Sequence, residues 1–228
     1  MSGPASLSPL AASSATWPAA TASPVAAAGL ASVNPDLAPR VQAVILAGGT
    51  ARRMGGISKA DVPIKGKRML DYLLEDLAAQ QITSVTVVAP PSVQLPPGVQ
   101  RSLEDPPLGG PVAGIAAGLA CLRHAKELTL LLSCDAPLAA RCLPALAGAL
   151  IHDGAVAYHQ GYRQLLVGLY CTEKLRDAVA PGGQGLRDIS VKRALAGLDL
   201  TTCPITWLAT DLDTLGDVEN FAAQLAVK

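Results

Sequence analysis

Apolar runs of strand length alternate with helix-like segments along the chain after residue 40. Short, nearly continuous apolar runs between turn-forming residues are typical of buried β-strands. They predict strands at 41–46, 85–88, 128–132, 155–159, 165–170 and 205–208. Helical spacing of apolar residues, or runs of alanine, predicts helices at 69–80, 112–123, 139–150 and from 215 onward. This alternation predicts an α/β domain with a mostly parallel sheet.

The predicted helix at 69–80 illustrates how the periodicity assigns residues to faces. Its apolar residues recur at helical spacing, at Met69, Leu70, Leu73, Leu74 and Leu77. Asp71, Glu75 and Asp76 fall on the other side, so all three acids are expected to face away from the core.

Residues 1–40 differ in composition from the rest of the chain, with 12 Ala, 7 Ser and 6 Pro. The only charged side chains in this segment are Asp36 and Arg40. Such a segment buries too little apolar surface to offset the entropy of ordering it. We therefore predict a disordered tail over 1–40 and one folded domain over 41–228. The tail lacks the basic start and continuous apolar run of a signal peptide, so we expect a cytoplasmic protein.

The overall charge balance restricts the classes of partner. Formal net charge is zero, so the sequence has no excess of cations for wrapping nucleic acid or covering an acidic membrane. No run reaches the roughly 18 uncharged apolar residues of a membrane span. The five cysteines include no C-x-x-C pair and no zinc-binding spacing, which predicts reduced, buried thiols. A small phosphate-bearing substrate remains compatible, because a local cluster of cations suffices to bind it.

The strand at 41–46 leads into a loop that is dense in glycines and cations. Its glycines are Gly48, Gly49, Gly55 and Gly56, and its cations are Arg52, Arg53 and Lys59. Glycines let backbone N–H groups approach an anion closely, and the cations complement phosphate charge. The loop fits neither Gly-x4-Gly-Lys-Ser/Thr nor Gly-x-Gly-x-x-Gly. It predicts a polyphosphate site, with a solvated surface loop as the alternative.

The same loop resembles the signature of molybdenum cofactor guanylyltransferases, the MobA-like nucleotidyltransferases. The matching residues are Leu46-Ala47-Gly48-Gly49, then Arg53-Met54-Gly55-Gly56, then Lys59. This resemblance implies a single Rossmann-like, mostly parallel sheet with helices on both faces, of the nucleotide-diphospho-sugar transferase type. It also implies that these positions, in particular Leu46, Ala47, Gly48, Gly49, Arg53 and Lys59, bind the nucleotide.

Two acids farther along the chain match the family pattern as well. Asp105 lies in Glu-Asp before Gly-Gly-Pro, where the family's aspartate helps to hold the nucleotide; alternatively, Asp105 forms a turn before Pro106. Asp135 follows the apolar run 128–132, at the sheet edge where ligands bind in open α/β folds. Position alone permits either a helix N-cap or a metal ligand there. The resemblance of Cys134-Asp135-Ala136-Pro137 to the family's Cys-Asp-x-Pro favours a Mg²⁺ ligand that also contacts the nucleotide.

Asp211 and Asp213 lie where the family has Asn/Asp-x-Asn/Asp-Thr-Pro, with Leu215 in place of the proline. Alternate residues of an extended chain face the same side, so both carboxylates could reach one site. Asp213 is the second metal candidate, and the alternative is that Asp213 or Thr214 caps the following helix.

The segment 161–170 resembles a family strand that faces the pterin-bearing acceptor. Arg163 and Gln164 are therefore acceptor-binding candidates, with a solvated hairpin as the equal alternative.

Together, these features predict a nucleotidyltransferase with Arg53, Lys59 and Asp135 as catalytic residues. Arg53 and Lys59 would hold the β- and γ-phosphates, while Asp135 and Asp213 bind Mg²⁺. The resemblance implies GTP and a molybdopterin-type acceptor as substrates, and a molybdenum insertase or a chaperone of the recipient molybdoenzyme as a protein partner. Related CTP users tend to have Ala-Ala-Gly where this chain has Ala47-Gly48-Gly49, which favours guanine. The alternatives are a molybdopterin cytidylyltransferase, a phospholactate guanylyltransferase, or a nucleotide-binding module without turnover.

Overall fold

The computed structural model describes residues 34, 36–48, 58–122, 124–205 and 207–227. Its strands are β1 (Val41–Leu46), β2 (Pro63–Ile64), β3 (Lys67–Arg68), β4 (Val85–Val88), β5 (Gln100–Ser102), β6 (Leu128–Ser133), β7 (Gly154–His159), β8 (Tyr162–Cys171) and β9 (Leu200–Pro204). Its α-helices are α1 (Met69–Ala79), α2 (Gly110–Cys121), α3 (Leu143–Ala149), α4 (Thr172–Val179), α5 (Val191–Ala194) and α6 (Leu215–Val227). Short 3₁₀ turns include Lys59–Asp61, Ala139–Cys142 and Trp207–Ala209.

Seven of the described strands form one sheet in the order β5-β4-β1-β6-β8-β7-β9. Four of the six neighbouring pairs are parallel, and the antiparallel pairs are the two that involve β8. Strands β2 and β3 form a separate antiparallel hairpin. The mostly parallel sheet that the sequence predicts is therefore confirmed.

Helices cover both faces of this sheet, also as predicted. Alternate residues of β1 point to opposite faces: Ala43 and Ile45 pack in the larger core, while Val44 and Leu46 pack in the smaller one. Helices α1, α3 and α6 contribute to the larger core, and α2, α4 and α5 contribute to the smaller one. A strand covered on both faces is mostly apolar, which is why β1 and β4 are apolar except at Gln42 and Thr86.

Two strands at the ends of the sheet differ from the prediction. Strand β5 was not predicted, because its residues Gln100, Arg101 and Ser102 are polar and form an edge strand. The predicted strand at 205–208 is wrong: β9 ends at Pro204, and Trp207–Ala209 is a 3₁₀ turn. Strand β9 escapes the pattern because it is also an edge strand, with Leu200 and Cys203 as its buried residues.

The hairpin between β7 and β8 is tighter than predicted. Gln160 and Gly161 alone connect the strands, with φ of +48° and +86°. Positive φ at both central residues is the conformation of a two-residue hairpin turn. Arg163 and Gln164 consequently belong to β8 and pair with Tyr158 and Ala157.

Asp76 lies on the inner side of α1, contrary to the prediction that it faces away from the core. It is only 6% exposed, and its Oδ2 accepts a hydrogen bond from Arg141 Nε at 2.8 Å. Gln80, one helical turn on, donates to the carbonyl of Ala140 at 3.0 Å. Burial raises the pKa of Asp76, and the contact with Arg141 opposes that rise. These polar contacts join α1 to the turn that follows β6, a pairing that helical periodicity alone does not reveal.

The folded part of the chain begins slightly before the predicted boundary at residue 41. Ala38 is buried, and Leu37 packs against the larger core. Most of the predicted tail, residues 1–33, lies outside the described residues, so its disorder stays a prediction. The longest described helix, α6, has 13 residues, and no helix within the described ranges is long and apolar enough to cross a membrane.

Helix α2 approaches the sheet closely at Gly118, and this contact gives a stability test. A Cβ at Gly118 would lie 2.7 Å from Val44 Cγ1, whereas one at the exposed Gly148 in α3 would meet nothing within 4 Å. We expect Gly118→Ala to lower the free energy of unfolding by about 1–2 kcal/mol through overpacking. Gly148→Ala should raise it by about 0.5–1 kcal/mol through helix propensity. Urea denaturation of both variants measures the difference, and equal effects would contradict the close approach.

Candidate active site

The predicted acids meet at one edge of the sheet because of the strand directions. All strands of the sheet except β8 run the same way, so their carboxyl ends share an edge. Asp135 lies two residues after β6, and Asp213 follows the turn after β9. Lys59 begins the 3₁₀ turn Lys59–Asp61, which comes after β1 in the chain. Three distant segments therefore bring their charged side chains to one place.

Lys59 lies between two carboxylates. Its Nζ donates to Asp135 Oδ2 at 2.9 Å and to Asp213 Oδ1 at 2.5 Å. Burial on its own lowers the pKa of Lys59, but the hydrogen bonds to Asp213 and Asp135 outweigh it, so the pKa lies above its usual value. Lys59 is therefore cationic at any physiological pH, and it offsets part of the acidic charge around it.

Asp135 is a metal-ligand candidate rather than a helix cap. No side-chain capping bond starts the turn Ala139–Cys142 or helix α3. Asp135 Oδ1 is buried and has no hydrogen-bond partner among the described residues, an arrangement that costs free energy unless a ligand is present. The Asp135 backbone carbonyl accepts from Leu212 N at 2.8 Å, which joins the Asp211–Asp213 segment to the end of β6.

The cap of helix α6 is Thr214, which answers the alternative left open for Asp213. Thr214 Oγ1 accepts from Asp217 N at 3.2 Å, and Asp217 Oδ2 accepts from Thr214 N at 2.8 Å. This reciprocal pair is a capping box. The hydrogen bonds from Thr214 also lower the pKa of Asp217. Because Thr214 and Asp217 satisfy the helix end, the Asp213 carboxylate can face Lys59.

Asp211 adds a third carboxyl group next to this cluster. Partial burial, which removes water from the carboxylate, and the negative charges of Asp135 and Asp213 raise the pKa of Asp211 to about 6, although part of the residue is exposed. Burial is the larger cause of this rise, and the two neighbouring carboxylates add to it.

The donor set fits Mg²⁺ in a nucleotide site. Within the described ranges, no group of three or more His, Cys, Asp or Glu residues could hold a metal by itself. Mg²⁺, however, is usually bound by one or two carboxylates and completes its shell with substrate phosphates and water. The unpartnered Oδ1 of Asp135 and the carboxylate of Asp213 are oxygen donors of this kind.

A cleft of about 570 Å³ opens beside Lys59 and Asp135. Its walls are mainly apolar and include Leu46, Val88, Leu103, Leu108 and Leu166. Its polar side chains include Lys59, Glu104 and Asp135. The cleft has the size and the mixed lining typical of sites for small organic ligands.

The structure places the predicted nucleotide-binding residues unequally. Leu46, Gly48, Lys59 and Asp135 line the cleft, and Ala47 is buried between Leu46 and Gly48. Gly49 and Arg53 lie outside the described residues, and their roles stay predictions. Asp105 is exposed and is not among the cleft-lining residues, whereas its neighbour Glu104 is. Sequence reasoning missed Glu104, since spacing does not reveal which of two adjacent acids faces the cleft.

The acceptor candidates lie close to the same sheet edge without lining the cleft. Arg163 and Gln164 are at the start of β8, which begins at the edge where β6 ends. Leu166, farther along β8, does line the cleft. Binding of an acceptor by Arg163 and Gln164 stays a prediction.

Comparison with known proteins adds sequence relatives that span most of the domain. Residues 43–197 match the family model of the MobA-like NTP transferase domain. A molybdenum cofactor guanylyltransferase from Pseudomonas putida strain GB-1 is 32% identical over 183 residues, which cover 72% of this chain and 89% of the relative. One from Acidiphilium cryptum is 35% identical over 133 residues, covering 57% and 66%.

Solved structures share the fold at lower identity. The molybdopterin-guanine dinucleotide biosynthesis protein A of Archaeoglobus fulgidus superposes with a TM-score of 0.58 at 18% identity, covering 82% of this chain and 100% of the other. The 2-C-methyl-D-erythritol 4-phosphate cytidylyltransferase of Thermus thermophilus gives 0.61 at 20% identity, covering 83% and 100%. At these identities the superpositions establish the fold only.

The strength of the Lys59–Asp135 contact can be measured with a double-mutant cycle. The two side chains are 25% and 20% exposed, so the pair is only partly screened by water. We expect Lys59→Met and Asp135→Asn to show a coupling free energy of about 1–3 kcal/mol in urea denaturation.

The exposed pair Lys67 and Glu75 is the matched control for this cycle. Lys67→Met and Glu75→Gln should couple by less than about 1 kcal/mol. A Lys59–Asp135 coupling no larger than that of the control would contradict the arrangement described.

Proposed function

The chain belongs to the MobA-like NTP transferase family, and from this premise we propose that it transfers GMP from GTP to the phosphate of a molybdopterin-type acceptor. The products are a guanine dinucleotide form of the cofactor and pyrophosphate. Relatives named molybdenum cofactor guanylyltransferase support this acceptor and this nucleotide.

The observation that carries the proposal is the meeting of Lys59, Asp135 and Asp213 beside the cleft. Attack of an acceptor phosphate on the α-phosphorus brings two anionic groups together, so the reaction requires positive charge at the point of approach. The acceptor oxygen forms the new bond to phosphorus as the bond to pyrophosphate breaks. No protein nucleophile is needed, and the task of the site is positioning and charge neutralisation.

Lys59 supplies a fixed positive charge. Its raised pKa keeps it protonated, and its two carboxylate contacts orient the ammonium group at the cleft wall. In the proposed complex, Lys59 and Arg53 contact the β- and γ-phosphates, and the backbone at Gly48 and Gly49 lies against the nucleotide. The assignments of Arg53 and Gly49 rest on the family signature.

Asp135 and Asp213 are the residues that would hold Mg²⁺. When bound, the metal would neutralise charge on the α-phosphate and the departing pyrophosphate. Asp135 Oδ1 has no hydrogen-bond partner among the described residues, and the interaction of Lys59 with Oδ2 keeps the carboxylate aligned.

The acceptor would approach from the β7–β8 hairpin. Arg163 and Gln164, at the start of β8, lie near the edge at which Asp135 is placed. A guanidinium group at this point suits the acceptor's phosphate.

Asp135→Asn tests the proposed role of this carboxylate, because Asn keeps the side-chain shape and a carbonyl oxygen for Lys59 while removing the charge. Purified protein is incubated with GTP, Mg²⁺ and molybdopterin carrying molybdenum, and pyrophosphate release is measured. We expect kcat to fall at least about 100-fold, comparable to the loss of a charge-stabilising group in other enzymes.

Asp36→Asn, an exposed position before β1, is the matched control and should retain wild-type kcat. A folded Asp135→Asn variant with wild-type kcat would remove Asp135 from the mechanism. Release of pyrophosphate by the wild-type protein with CTP and not GTP would instead identify a cytidylyltransferase.

A further inference from the structure

Glu104 and Asp135 line the same cleft and follow different strands of the sheet. Glu104 follows the edge strand β5, whereas Asp135 follows β6, and β4 and β1 lie between them in the sheet. Neighbouring strands are about 4.8 Å apart, so three spacings separate β5 from β6 by roughly 14 Å along the sheet edge. A nucleoside triphosphate is long enough to place its phosphates at Lys59 and its base near Glu104.

The surroundings of Glu104 suit a flat, mainly apolar ring. The nearby cleft wall contains Val88, Leu103, Pro107 and Leu108. Leu108 is 74% exposed at the rim of the cleft, and its φ of +67° is unusual for a residue with a side chain. Together with Leu103, which is 39% exposed, Leu108 gives the cleft an apolar wall that suits an aromatic ring.

Both oxygens of Glu104 can accept a hydrogen bond from a ligand, because each carboxylate oxygen has two acceptor sites and the protein fills one of those on Oε1. Oε1 accepts a hydrogen bond from Leu108 N at 3.0 Å, which fixes the direction of the carboxylate. Oε2 lies over Gly114 of α2, where an added Cβ would be 4.0 Å away, and it accepts no hydrogen bond from the described residues. A carboxylate held in this way presents a pure acceptor to whatever occupies the cleft.

We propose that Glu104 determines base specificity by accepting hydrogen bonds from N1–H and the 2-amino group of guanine. This inference rests on the proposed function and concerns the same cleft. Guanine presents two adjacent donors on this edge, which match a carboxylate. Cytosine presents one donor, its 4-amino group, beside the acceptors N3 and O2. A carboxylate therefore gains at most one donor group from cytosine and meets N3 with unfavourable charge. The carboxylate of Glu104 thus favours GTP over CTP.

Glu104→Gln is the sharpest variant, because the carbonyl oxygen of Gln can keep the bond from Leu108 N. Its amino group then replaces Oε2 and directs a donor at the base. This donor opposes the 2-amino group of guanine and matches the 2-oxo group of xanthine. We expect kcat/KM for GTP to fall roughly 10- to 100-fold, and the ratio of kcat/KM for GTP to that for XTP to fall at least about 100-fold.

Two further variants show whether the effect belongs to Glu104. Glu173→Gln, at the exposed first turn of α4 on the opposite edge of the sheet, should leave the GTP-to-XTP ratio unchanged. Asp105→Asn tests the neighbouring acid. An unchanged ratio in a folded Glu104→Gln variant, or a shift produced by Asp105→Asn instead, would overturn the proposal.

Equilibrium dialysis with GTP, XTP and CTP separates this inference from the proposed reaction. If the wild-type protein binds GTP in preference to CTP but releases no pyrophosphate, the reaction is wrong and base selection by Glu104 is still tested by the binding ratios. If Glu104→Gln fails to fold, Glu104→Asp provides the second test: its shorter side chain should weaken GTP binding at least about tenfold without improving XTP binding. Unchanged GTP binding by Glu104→Asp would contradict the proposal.

Discussion

One lysine between two carboxylates is the interaction on which the site depends. Asp135 and Asp213 lie 78 positions apart in the chain, and both contact the Nζ of Lys59. Carboxylates this close repel one another unless a cation lies between them. Asp211 is a third acid beside the two that share Lys59, so the acids of this region outnumber the cation that pairs with them. Such a region is suited to a divalent cation together with a polyphosphate, whose charges balance one another.

The fold makes this arrangement possible through backbone contacts at the carboxyl edge of the sheet. Cys134 N donates to the carbonyl of Leu46, which fixes the end of β6 beside the end of β1. Leu212 N donates to the carbonyl of Asp135, which fixes the Asp211–Asp213 segment beside β6. The contacts of Asp76 and Gln80 with Arg141 and Ala140 hold the turn after β6 from the other side. These contacts therefore fix the backbone on which the acids lie.

The sequence predicts the parts of this structure that rest on continuous apolar patterns. Strands β1, β4 and β6 are buried on both faces and are evident from their composition. Asp135 could be identified as a candidate because it comes just after the end of β6. Edge strands are less evident, because β5 is polar and β9 buries only Leu200 and Cys203. The resemblance to a known family supplied Asp213 as a candidate, but only the geometry shows that Thr214 and Asp217 take over the cap. Glu104 could not be chosen over Asp105 because both occupy one irregular segment, where side-chain direction has no period.

In the complex proposed above, the nucleotide lies along the cleft, with its phosphates at Lys59 and Asp135 and its base at Glu104. A crystal structure of the protein with Mg²⁺ and a non-hydrolysable GTP analogue tests this claim most directly. We expect a phosphate oxygen within hydrogen-bonding distance of Lys59 Nζ, the metal on Asp135 Oδ1, and the guanine ring against Leu103 and Leu108. A nucleotide bound elsewhere, or bound with its base at Asp135 and its phosphates at Glu104, would contradict it.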